Sequence, residues 1–434
     1  MQAAARTLFT LSSLFLGFAL LQMGNGLQGT LLAVRGGLEG FGSTSIGLLM
    51  AGFFGGMCLG SFSASTLIAQ AGHIRTFAAL ASLGSAAALG HLLFIDPVFW
   101  IVLRVLTGFC FAGLIIVVES WLNATAVPEA RGRVLSLYAI CSMGASIIGQ
   151  LLFTIATPEG FILFVLVSIL MSVALVPISL SKVSAPLPDG EQESPSVRRL
   201  WEFSPFGAVA MLLMGACLGA LYGLTPVYGQ QLGFNQSQIG IMMAAVFLGG
   251  VILQYPLGVL SDRVNRRFVS IVAALVAAGV CASIGLAGNL PFLPALLVFG
   301  VAGATILPNT SVIIAHVNDR APVTALVAVS GGLVLMLGLG AVIGPILSGV
   351  LMEIYGPAAL VIFVGGLQAA IALFGLVRIF LVEGPSAGEK SSFTAAPIAP
   401  VVGEIEISAY ESASPVVDAT DAEADTGADA VRAA

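Results

Sequence analysis

Charged residues are scarce in this 434-residue chain. Only 9% of the residues are Asp, Glu, Lys or Arg, whereas 58% are hydrophobic and the mean hydropathy is +1.04. Ordinary soluble domains contain about 25% charged and about 45–50% apolar residues. Because so few charges cannot cover a surface that faces water, the composition excludes a soluble globular domain. It favours a polytopic membrane protein whose surface contacts lipid.

Cysteine and histidine are also too sparse to suggest a reactive or metal-binding centre. The chain has five cysteines, each inside an apolar run and none in a CxxC spacing, and three isolated histidines. We therefore expect no disulfide framework, no metal site and no cofactor. A phosphate-binding loop, a Ser/His/Asp arrangement and an HExxH motif are also missing, so we expect neither an enzyme nor a nucleic-acid partner.

Long apolar runs make up most of the chain, and they are apolar on all sides. A membrane β-strand would alternate apolar and polar residues, so these runs predict helices, which satisfy their own backbone hydrogen bonds in lipid. Each run has about 20 residues or more, enough to cross roughly 30 Å of hydrocarbon. The predicted helices are 8–33, 45–68, 76–95, 98–122, 133–155, 161–180, 206–226, 238–260, 268–287, 291–317, 325–351 and 357–381.

A polar stretch that contains Pro186, Pro188 and Pro195, residues 181–205, separates the first six predicted helices from the last six. We interpret it as a cytoplasmic linker between an N-terminal six-helix bundle at 1–180 and a C-terminal six-helix bundle at 206–382. Residues 383–434 contain ten acidic and two basic residues with little periodicity. They predict a disordered acidic cytoplasmic tail.

The two predicted bundles show weak internal similarity. Ser-Ile-Gly at 45–47 followed by Gly-Gly at 55–56 resembles Gln-Ile-Gly at 238–240 followed by Gly-Gly at 249–250. The first pair of segments lies in helix 2 and the second in helix 8. This correspondence favours a duplicated unit and two pseudo-symmetric bundles.

Positive charges are distributed unequally between the loops. The loops after even-numbered helices contain ten Arg and Lys residues, whereas the loops after odd-numbered helices contain only Arg35. By the positive-inside rule, we expect the even loops and both termini to face the cytoplasm. The ten residues are Arg75, Arg131, Arg133, Lys182, Arg198, Arg199, Arg263, Arg266, Arg267 and Arg320.

The most highly charged loop joins predicted helices 8 and 9. We predict that Asp262 accepts hydrogen bonds from an arginine or from a neighbouring helix N-terminus, and that such pairs hold a cytoplasmic gate shut. Asn265 is expected to adopt a left-handed turn. The alternative is that the loop is only a topological anchor. The gate residues are Gly258, Asp262, Arg263, Arg266 and Arg267.

Two ionisable residues lie deep within predicted helix 4. Arg104 and Glu119 are fifteen residues apart, which places them on one face but about 22 Å from each other. Burying a guanidinium in lipid costs about 2.5–3.5 kcal/mol, so we expect Arg104 to face a cavity, with snorkelling to the interface as the alternative. Glu119, with Asn123 one turn further on, is a proton-coupling group or is paired with an arginine of the neighbouring even loops. The pairing is favoured because Glu119 lies near the helix end.

Uncharged polar residues in the apolar helices predict the rest of a cavity. Gln22, Asn25 and Gln28 form a stripe on helix 1, which indicates either cavity lining or hydrogen bonds between helices. We expect Pro308 to break helix 10. Further cavity candidates are Gln150 in helix 5, Tyr222 in helix 7 and Asn309 in helix 10.

These motifs together resemble the major facilitator superfamily of membrane transporters. The loop at 258–267 is similar to the superfamily's loop signature, with Asn265 where glycine is usual. Arg104 followed by Gly108 resembles its fourth-helix pattern, in which the arginine is associated with proton coupling. Over residues 6–382 the resemblance implies an all-α membrane protein with twelve transmembrane helices in two six-helix bundles. Shorter stretches such as Glu-Ser-Trp-Leu-Asn at 119–123 resemble an uncharacterised bacterial branch of permeases.

The segment Gly-Ala-Val-Ile-Gly-Pro at 340–345 resembles an element of proton antiporters. That element belongs in helix 5, however, whereas this segment lies in helix 11. We therefore favour the interpretation that its glycines allow close helix packing.

The sequence predicts a secondary active transporter that moves a small molecule by alternating access and is coupled to protons. Its expected partners are the lipid bilayer, the substrate and protons, and the scarcity of cavity charges favours an apolar or amphipathic substrate. The alternative is a non-transporting receptor or assembly factor on a transporter-like fold. That alternative is favoured if Arg104, Glu119 and the helix 1 stripe all face lipid or tight packing.

Overall fold

The described residues form twelve long helices. A computed structural model describes residues 2–125, 131–180, 195–288 and 290–381. Ten of the described helices are long and apolar enough to cross a membrane, and α1 and α3 pack among them to complete an all-α membrane protein. The helices are α1 Gln2–Leu38, α2 Ser43–Ala71, α3 His73–Gly90, α4 Pro97–Thr125, α5 Arg131–Leu152, α6 Ile162–Val173 continued by Leu175–Ser179, α7 Pro205–Gln231, α8 Gln236–Arg263, α9 Arg266–Ala287, α10 Phe292–Asn318, α11 Leu326–Tyr355 and α12 Ala358–Leu381.

Each half of the chain repeats the same helix pairing. In the N-terminal half, α2 packs on α4, α1 on α5 and α3 on α6. In the C-terminal half, the helices six places later form the same pairs, namely α8 on α10, α7 on α11 and α9 on α12. The two halves meet through α2 with α11 and, symmetrically, through α8 with α5. The predicted fold of two pseudo-symmetric six-helix bundles is confirmed.

Glycines at equivalent positions allow this close pairing. Gly56 of α2 lies against the backbone carbonyl of Val105 in α4, and Gly249 of α8 lies against the carbonyl of Gly300 in α10. A Cβ at either glycine would collide with that backbone. Because lipid tails are as apolar as leucine, membrane helices gain their contact energy by approaching closely at small residues. The two glycines belong to the repeated segments found in the sequence.

The glycines of the antiporter-like segment also serve packing. Gly340 and Gly344 of α11 lie against the carbonyls of Leu212 and Ala216 in α7. This geometry agrees with the interpretation that the glycines allow close helix packing. The segment lies in the α7–α11 contact, which is the equivalent in the C-terminal half of the α1–α5 contact.

Proline does not interrupt the helices as expected. Helix α10 continues from Phe292 to Asn318 with Pro308 inside it, so the predicted break is wrong. Prolines also lie inside α7, α8 and α11, at Pro226, Pro256 and Pro345. In a tightly packed membrane bundle, neighbouring helices and local backbone adjustment satisfy the carbonyls that a proline releases.

The end of the predicted linker is folded onto the C-terminal half. Ser196 donates its backbone N–H to the Ala328 carbonyl at 2.9 Å, and its hydroxyl caps the short helix Val197–Phe203 by accepting from the N–H of Arg199. Gly331 of α11 leaves room for this segment. Residues 181–194 of the linker and the predicted tail lie outside the described residues.

The described loops lie at two opposite ends of the bundle. We call the end formed by the loops after odd-numbered helices the odd-loop end, and the opposite end the even-loop end. The odd-loop end comprises 39–42, 91–96, 153–161, 232–235, 288, 290–291 and 356–357. The even-loop end comprises 72, 195–204, 264–265 and 319–325.

Candidate substrate cavity

A cavity of about 100 Å³ lies between the two halves. It is bounded by middle portions of α1, α2, α4 and α5 on one side and by α7 and α8 on the other. This space is smaller than the cavity on the order of 150 Å³ that accepts benzene, so in this conformation it admits only a small molecule. The polar lining residues are Gln22, Asn25, Thr30, Arg104, Ser142, Ser146, Gln150 and Tyr222. The large apolar ones are Met50, Phe53, Phe54, Met57, Phe111, Met143, Met243 and Phe247.

The two halves meet directly at the odd-loop end of this cavity. Gly47 of α2 lies against the Pro345 carbonyl of α11, and Gly240 of α8 lies against the Gln150 carbonyl of α5. Gly47 and Gly240 are equivalent positions of the internal repeat. The repeat therefore places a glycine at the equivalent contact with the backbone of the other half, once in α2 and once in α8.

Three glutamines add hydrogen bonds between the halves at the odd-loop end. Gln231 donates to the Ser43 hydroxyl at 2.9 Å, and Gln230 donates to the Val34 carbonyl at 3.1 Å. Gln236 donates to backbone carbonyls that follow α5. These contacts close the cavity at this end.

Glu353 provides a further connection by capping a helix of the other half. Its Oε2 accepts from the backbone N–H of Thr44 at 2.8 Å, and Gly42, the residue that precedes α2, has no side chain with which to cap. A carboxylate at a helix N-terminus satisfies a free N–H and opposes the positive end of the helix dipole. The equivalent helix α8 is capped from within its own half by Asn235.

Arg104 lies in the cavity wall with 3% of its surface exposed. Its guanidinium carbon lies 4.2 Å from the centre of the Phe53 ring, and its Nη1 lies 3.5 Å from the Oε1 of Gln28. Within the described part of the chain, no carboxylate forms an ion pair with Arg104. The sequence-based expectation that this arginine faces a cavity agrees with its position.

The polar stripe on α1 both lines the cavity and forms hydrogen bonds between helices, the two alternatives that the sequence left open. Gln22 and Asn25 line the cavity, and Gln22 also donates to the Ser142 hydroxyl at 2.6 Å. Gln28 is buried beside Arg104. Gln150 lines the cavity and donates to the Gly26 carbonyl at 3.0 Å.

Sequence reasoning missed three hydroxyl residues of the cavity. Ser142 and Ser146 precede Gln150 at four-residue intervals on α5, a spacing that places all three on one face and could have identified them. Thr30 donates to the Oε1 of Gln150 at 2.5 Å.

Among the polar residues that line the described cavity, Tyr222 is the one that comes from the C-terminal half. Its ring is stacked on Phe247 with centroids 5.2 Å apart and planes within 8° of parallel. Its hydroxyl is buried and has no hydrogen-bond partner among the described residues. All the other polar lining residues and six of the eight large apolar ones belong to the N-terminal half, so aromatic and methionine side chains of both halves form the apolar wall of the cavity.

Two candidate residues, Glu119 and Asn309, do not line this cavity. Glu119 is 3% exposed and accepts a hydrogen bond from the Tyr138 hydroxyl at 2.9 Å, whereas Arg75 of the adjacent even loop is exposed. Asn309 is fully buried and faces α9, where its amide lies 3.4 Å from the Ser270 carbonyl. The side chains of Asn123 and of the other two proposed partners of Glu119, Arg131 and Arg133 at the start of α5, lie outside the described residues.

Comparison with known proteins identifies the family. Residues 14–236 and 208–415 match the sequence model of the Major Facilitator Superfamily. The chain belongs to the Major Facilitator Superfamily. It is a multi-pass membrane transporter and not an enzyme.

Individual relatives agree with this assignment. An uncharacterized MFS-type transporter of Yersinia pestis (strain Pestoides F) is 29% identical over 338 residues, which are 77% of this chain and 86% of that protein. A point mutant of the nucleoside transporter NupG has a TM-score of 0.72 at 14% identity, over 85% of this chain and 99% of that chain. A D-xylose-proton symporter has a TM-score of 0.65 at 14% identity, over 88% and 98%. The structural similarities show the fold.

The superfamily's loop signature forms a buried ion-pair cluster at the even-loop end. Arg266 is 1% exposed and contacts Asp262 at 3.0 Å and Asp319 at 3.2 Å. Asp319 follows α10, and its carboxylate is 2% exposed. We call these three residues the even-loop clasp. It ties α8, α9 and the end of α10 together within the C-terminal half, and sequence reasoning missed Asp319 because α10 is distant in sequence.

Other residues of this loop have separate roles. Arg267 donates to the Arg378 carbonyl of α12 at 2.8 Å, and Arg263 is exposed. Gly258 is buried in α8, and its carbonyl accepts from the Ser261 hydroxyl. Burial and the nearby Arg378 lower the pKa of Arg320 from its ordinary value. Positive charge is thus concentrated at this end.

The predicted left-handed turn at Asn265 is wrong. Asn265 has φ −60° and ψ 118°, an extended conformation, and its side chain accepts from the backbone N–H of Arg267 at 3.0 Å. Asparagine replaces the usual glycine here as the N-cap of α9, a position that asparagine favours.

Proposed function

We propose that this superfamily member is a secondary active transporter that moves a small molecule across a bacterial inner membrane by alternating access, coupled to protons. The observation that carries this proposal is the cavity between two pseudo-symmetric halves, closed at one end by contacts between them. A cavity at a repeat interface is where secondary transporters place their substrates. The cavity position of Arg104 and Asn25 also weakens the receptor alternative, which needs no charged cavity.

The distribution of positive charge supports an orientation. The even loops contain ten Arg and Lys residues against one in the odd loops, so the even-loop end and both termini face the cytoplasm. In that orientation, the closed odd-loop end is the outer gate.

The α8–α9 loop, which carries Asp262 and Arg266 of the even-loop clasp at its two ends, is the moving inner gate in this proposal. Asp262 is 39% exposed on the side chain while Arg266 beneath it is buried, so the carboxylate is accessible at the surface. We propose that Gly258, Asp262, Arg263, Arg266 and Arg267 close this end against the N-terminal half when the odd-loop end opens. A charged loop that changes partner between two packed arrangements is a common way to bias such a transition.

Proton coupling requires a group that can release a proton inside the membrane. Arg104 cannot serve, because a guanidinium stays protonated in proteins. Glu119 is buried in the same helix, and Tyr138 donates to it. Buried carboxyls in membrane helices commonly mark proton pathways, and the similar D-xylose-proton symporter couples protons on this fold. We propose Glu119 as the proton carrier and Arg104 as the fixed charge of the cavity, with Asn25, Gln28, Gln150 and Tyr222 around it. Asn309 faces α9 and not this cavity, and the side chain of Asn123 lies outside the described residues.

Purified protein in vesicles loaded with the pH dye pyranine tests the proposal. Sugars, nucleosides and small carboxylates are added one at a time, and proton movement is recorded together with uptake of the labelled compound. We expect at least one compound to move protons. The variant E119Q should then lose gradient-driven accumulation but keep exchange of the compound across the membrane, whereas R104A should lose both.

The matched control is E202Q, because Glu202 pairs with Arg198 on the exposed linker helix, remote from both candidates. Full accumulation by E119Q would exclude Glu119 as the proton carrier. Failure of the unmodified protein to move any compound in either direction would favour the receptor alternative.

A further inference from the structure

We infer that the cavity binds the carboxylate of a small organic monoanion at Arg104, with the apolar body of that molecule against the aromatic and methionine wall. This inference names the substrate class of the transporter and therefore rests on the proposed function.

Arg104 is a buried cation whose contacts leave its hydrogen-bonding edge incomplete. One face of the guanidinium is covered by the Phe53 ring at 4.2 Å, a cation–π arrangement that leaves the N–H edge free. The acceptor at that edge is Gln28 Oε1 at 3.5 Å, the outer limit of a hydrogen bond. A guanidinium has five N–H donors, and its Nε has no partner in the described structure.

A buried charge without a counter-ion is unfavourable, because it loses hydration and gains no compensating pair. Arg104 is 3% exposed, and it lines the cavity. An anion in the cavity would supply the missing partner. The planar guanidinium matches a carboxylate with two parallel hydrogen bonds, which makes this pairing the geometric optimum.

The rest of the lining limits the charge of the ligand. Among the residues that line the described cavity, Arg104 alone carries a charge. It balances one negative charge. A dianion such as a phosphate monoester would leave an uncompensated charge among neutral and apolar groups, so a monoanion is favoured.

The remaining lining suits an amphipathic molecule. Phe54, Met57 and Phe111 of the N-terminal half and Met243 and Phe247 of the C-terminal half present apolar surface to the cavity. The unpartnered hydroxyl of Tyr222 adds one further donor from the C-terminal half. A ligand that contacts Arg104 and Tyr222 together would connect the two halves.

Binding of matched acids and amides to the purified full-length protein in detergent tests this inference. The probes are benzoate, phenylacetate and 4-methylpentanoate, the corresponding neutral amides, and the dianion phenylphosphonate, with affinity measured by calorimetry. We expect at least one carboxylate to bind about tenfold or more tightly than its amide, as the loss of a buried charge-assisted hydrogen bond implies. Phenylphosphonate should bind more weakly than that carboxylate.

Two variants probe the arginine in opposite ways. R104Q removes the cation and should remove the preference for acid over amide. Q28E keeps Arg104 but introduces a carboxylate next to it, so it should occupy the arginine internally and weaken acid binding about tenfold or more. Because Q28E supplies a partner for a buried charge, its melting temperature should equal or exceed that of the unmodified protein, which separates lost binding from lost folding.

Q70E is the matched charge control, since Gln70 is exposed near the end of α2, and it should leave binding unchanged. Y222F should weaken binding of the acid and of its amide together by a smaller factor. Equal affinity for acids and amides across the panel, or a preference that survives in R104Q, would overturn the inference.

The outcomes also separate this inference from the proposed function. Carboxylate binding in detergent without any flux in vesicles would contradict transport but support the anion site. Gradient-driven flux of neutral compounds alone, with no acid preference in binding, would support transport and overturn the anion site.

Discussion

The two halves share a helix arrangement but hold their ionisable groups in different places. The N-terminal half has Arg104 and Glu119 buried within α4, in the membrane-spanning region. The C-terminal half presents Tyr222 and Phe247 to the cavity and concentrates its buried charge at the even-loop end, around Arg266. The two halves therefore share their packing but differ in chemistry, with the polar cavity residues concentrated in one half and the ionic clasp in the other.

The loops after α2 and α8 show this divergence at equivalent positions. The α2–α3 connection is Gly72, whose φ of 80° is a conformation that favours glycine. The α8–α9 connection is flanked by Asp262 and Arg266, which form an ion pair. The α2–α3 connection therefore depends on the backbone conformation of a glycine, whereas an ion pair stabilises the α8–α9 connection.

The largest effect should come from breaking the even-loop clasp. D319A removes one of the two carboxylates that contact buried Arg266, and leaving part of a buried charge cluster unpaired destabilises by about 3–5 kcal/mol. We expect a large loss of thermal stability in detergent. E202A, which breaks the exposed pair with Arg198, should change stability by less than about 0.5 kcal/mol. Equal effects of the two variants would show that the clasp is not a structural element.

The second prediction tests the equivalence of the halves. G56A and G249A each place a methyl group against a facing backbone carbonyl, and such overpacking destabilises by about 1–3 kcal/mol. The two losses, measured by thermal unfolding, should be similar because the contacts are pseudo-symmetric. G55A is the control, since a Cβ at the adjacent Gly55 meets open space. A loss in only one half would show that the symmetry does not extend to energetics.

The smallest changes in stability should come from removing the caps of α2 and α8, and the two caps should differ in their effect on the odd-loop end. N235A removes the side chain that caps α8 from its own half and should destabilise by about 1 kcal/mol. E353Q keeps the shape of the side chain that caps α2 from the other half but removes its charge. Because Glu353 is solvent-exposed, the effect on stability should be only a few tenths of a kcal/mol. E353Q should instead increase labelling of a cysteine introduced at the odd-loop end, whereas N235A should not. Unchanged labelling in E353Q would argue against a gating role.

Helix positions were largely predictable from the sequence, and helix ends were not. The eighth helix was predicted at 238–260 and spans Gln236–Arg263, and the seventh was predicted at 206–226 and spans Pro205–Gln231. Hydrophobic runs mark the part of a helix that faces lipid or apolar neighbours. The polar turns that extend a helix beyond the hydrocarbon carry no such signal.

The residues of the candidate site were also only partly predictable from the sequence. Arg104, Asn25, Gln150 and Tyr222 were proposed from their polarity and line the cavity. Asn309 was proposed on the same grounds and faces α9 instead. Polarity within an apolar helix shows that a side chain avoids lipid, but it does not distinguish a cavity from a neighbouring helix.

By itself, the sequence determined the membrane class, the twelve helices and the doubled architecture, because run length and composition act on one helix at a time. Only the tertiary structure decided that Arg104 has Phe53 on one face and an incomplete edge toward the cavity. It also decided that Arg266 lies between two carboxylates, one in α8 and one directly after α10. The physical reason is that helical periodicity orders residues around one axis, whereas the partner of each face depends on how separate helices pack.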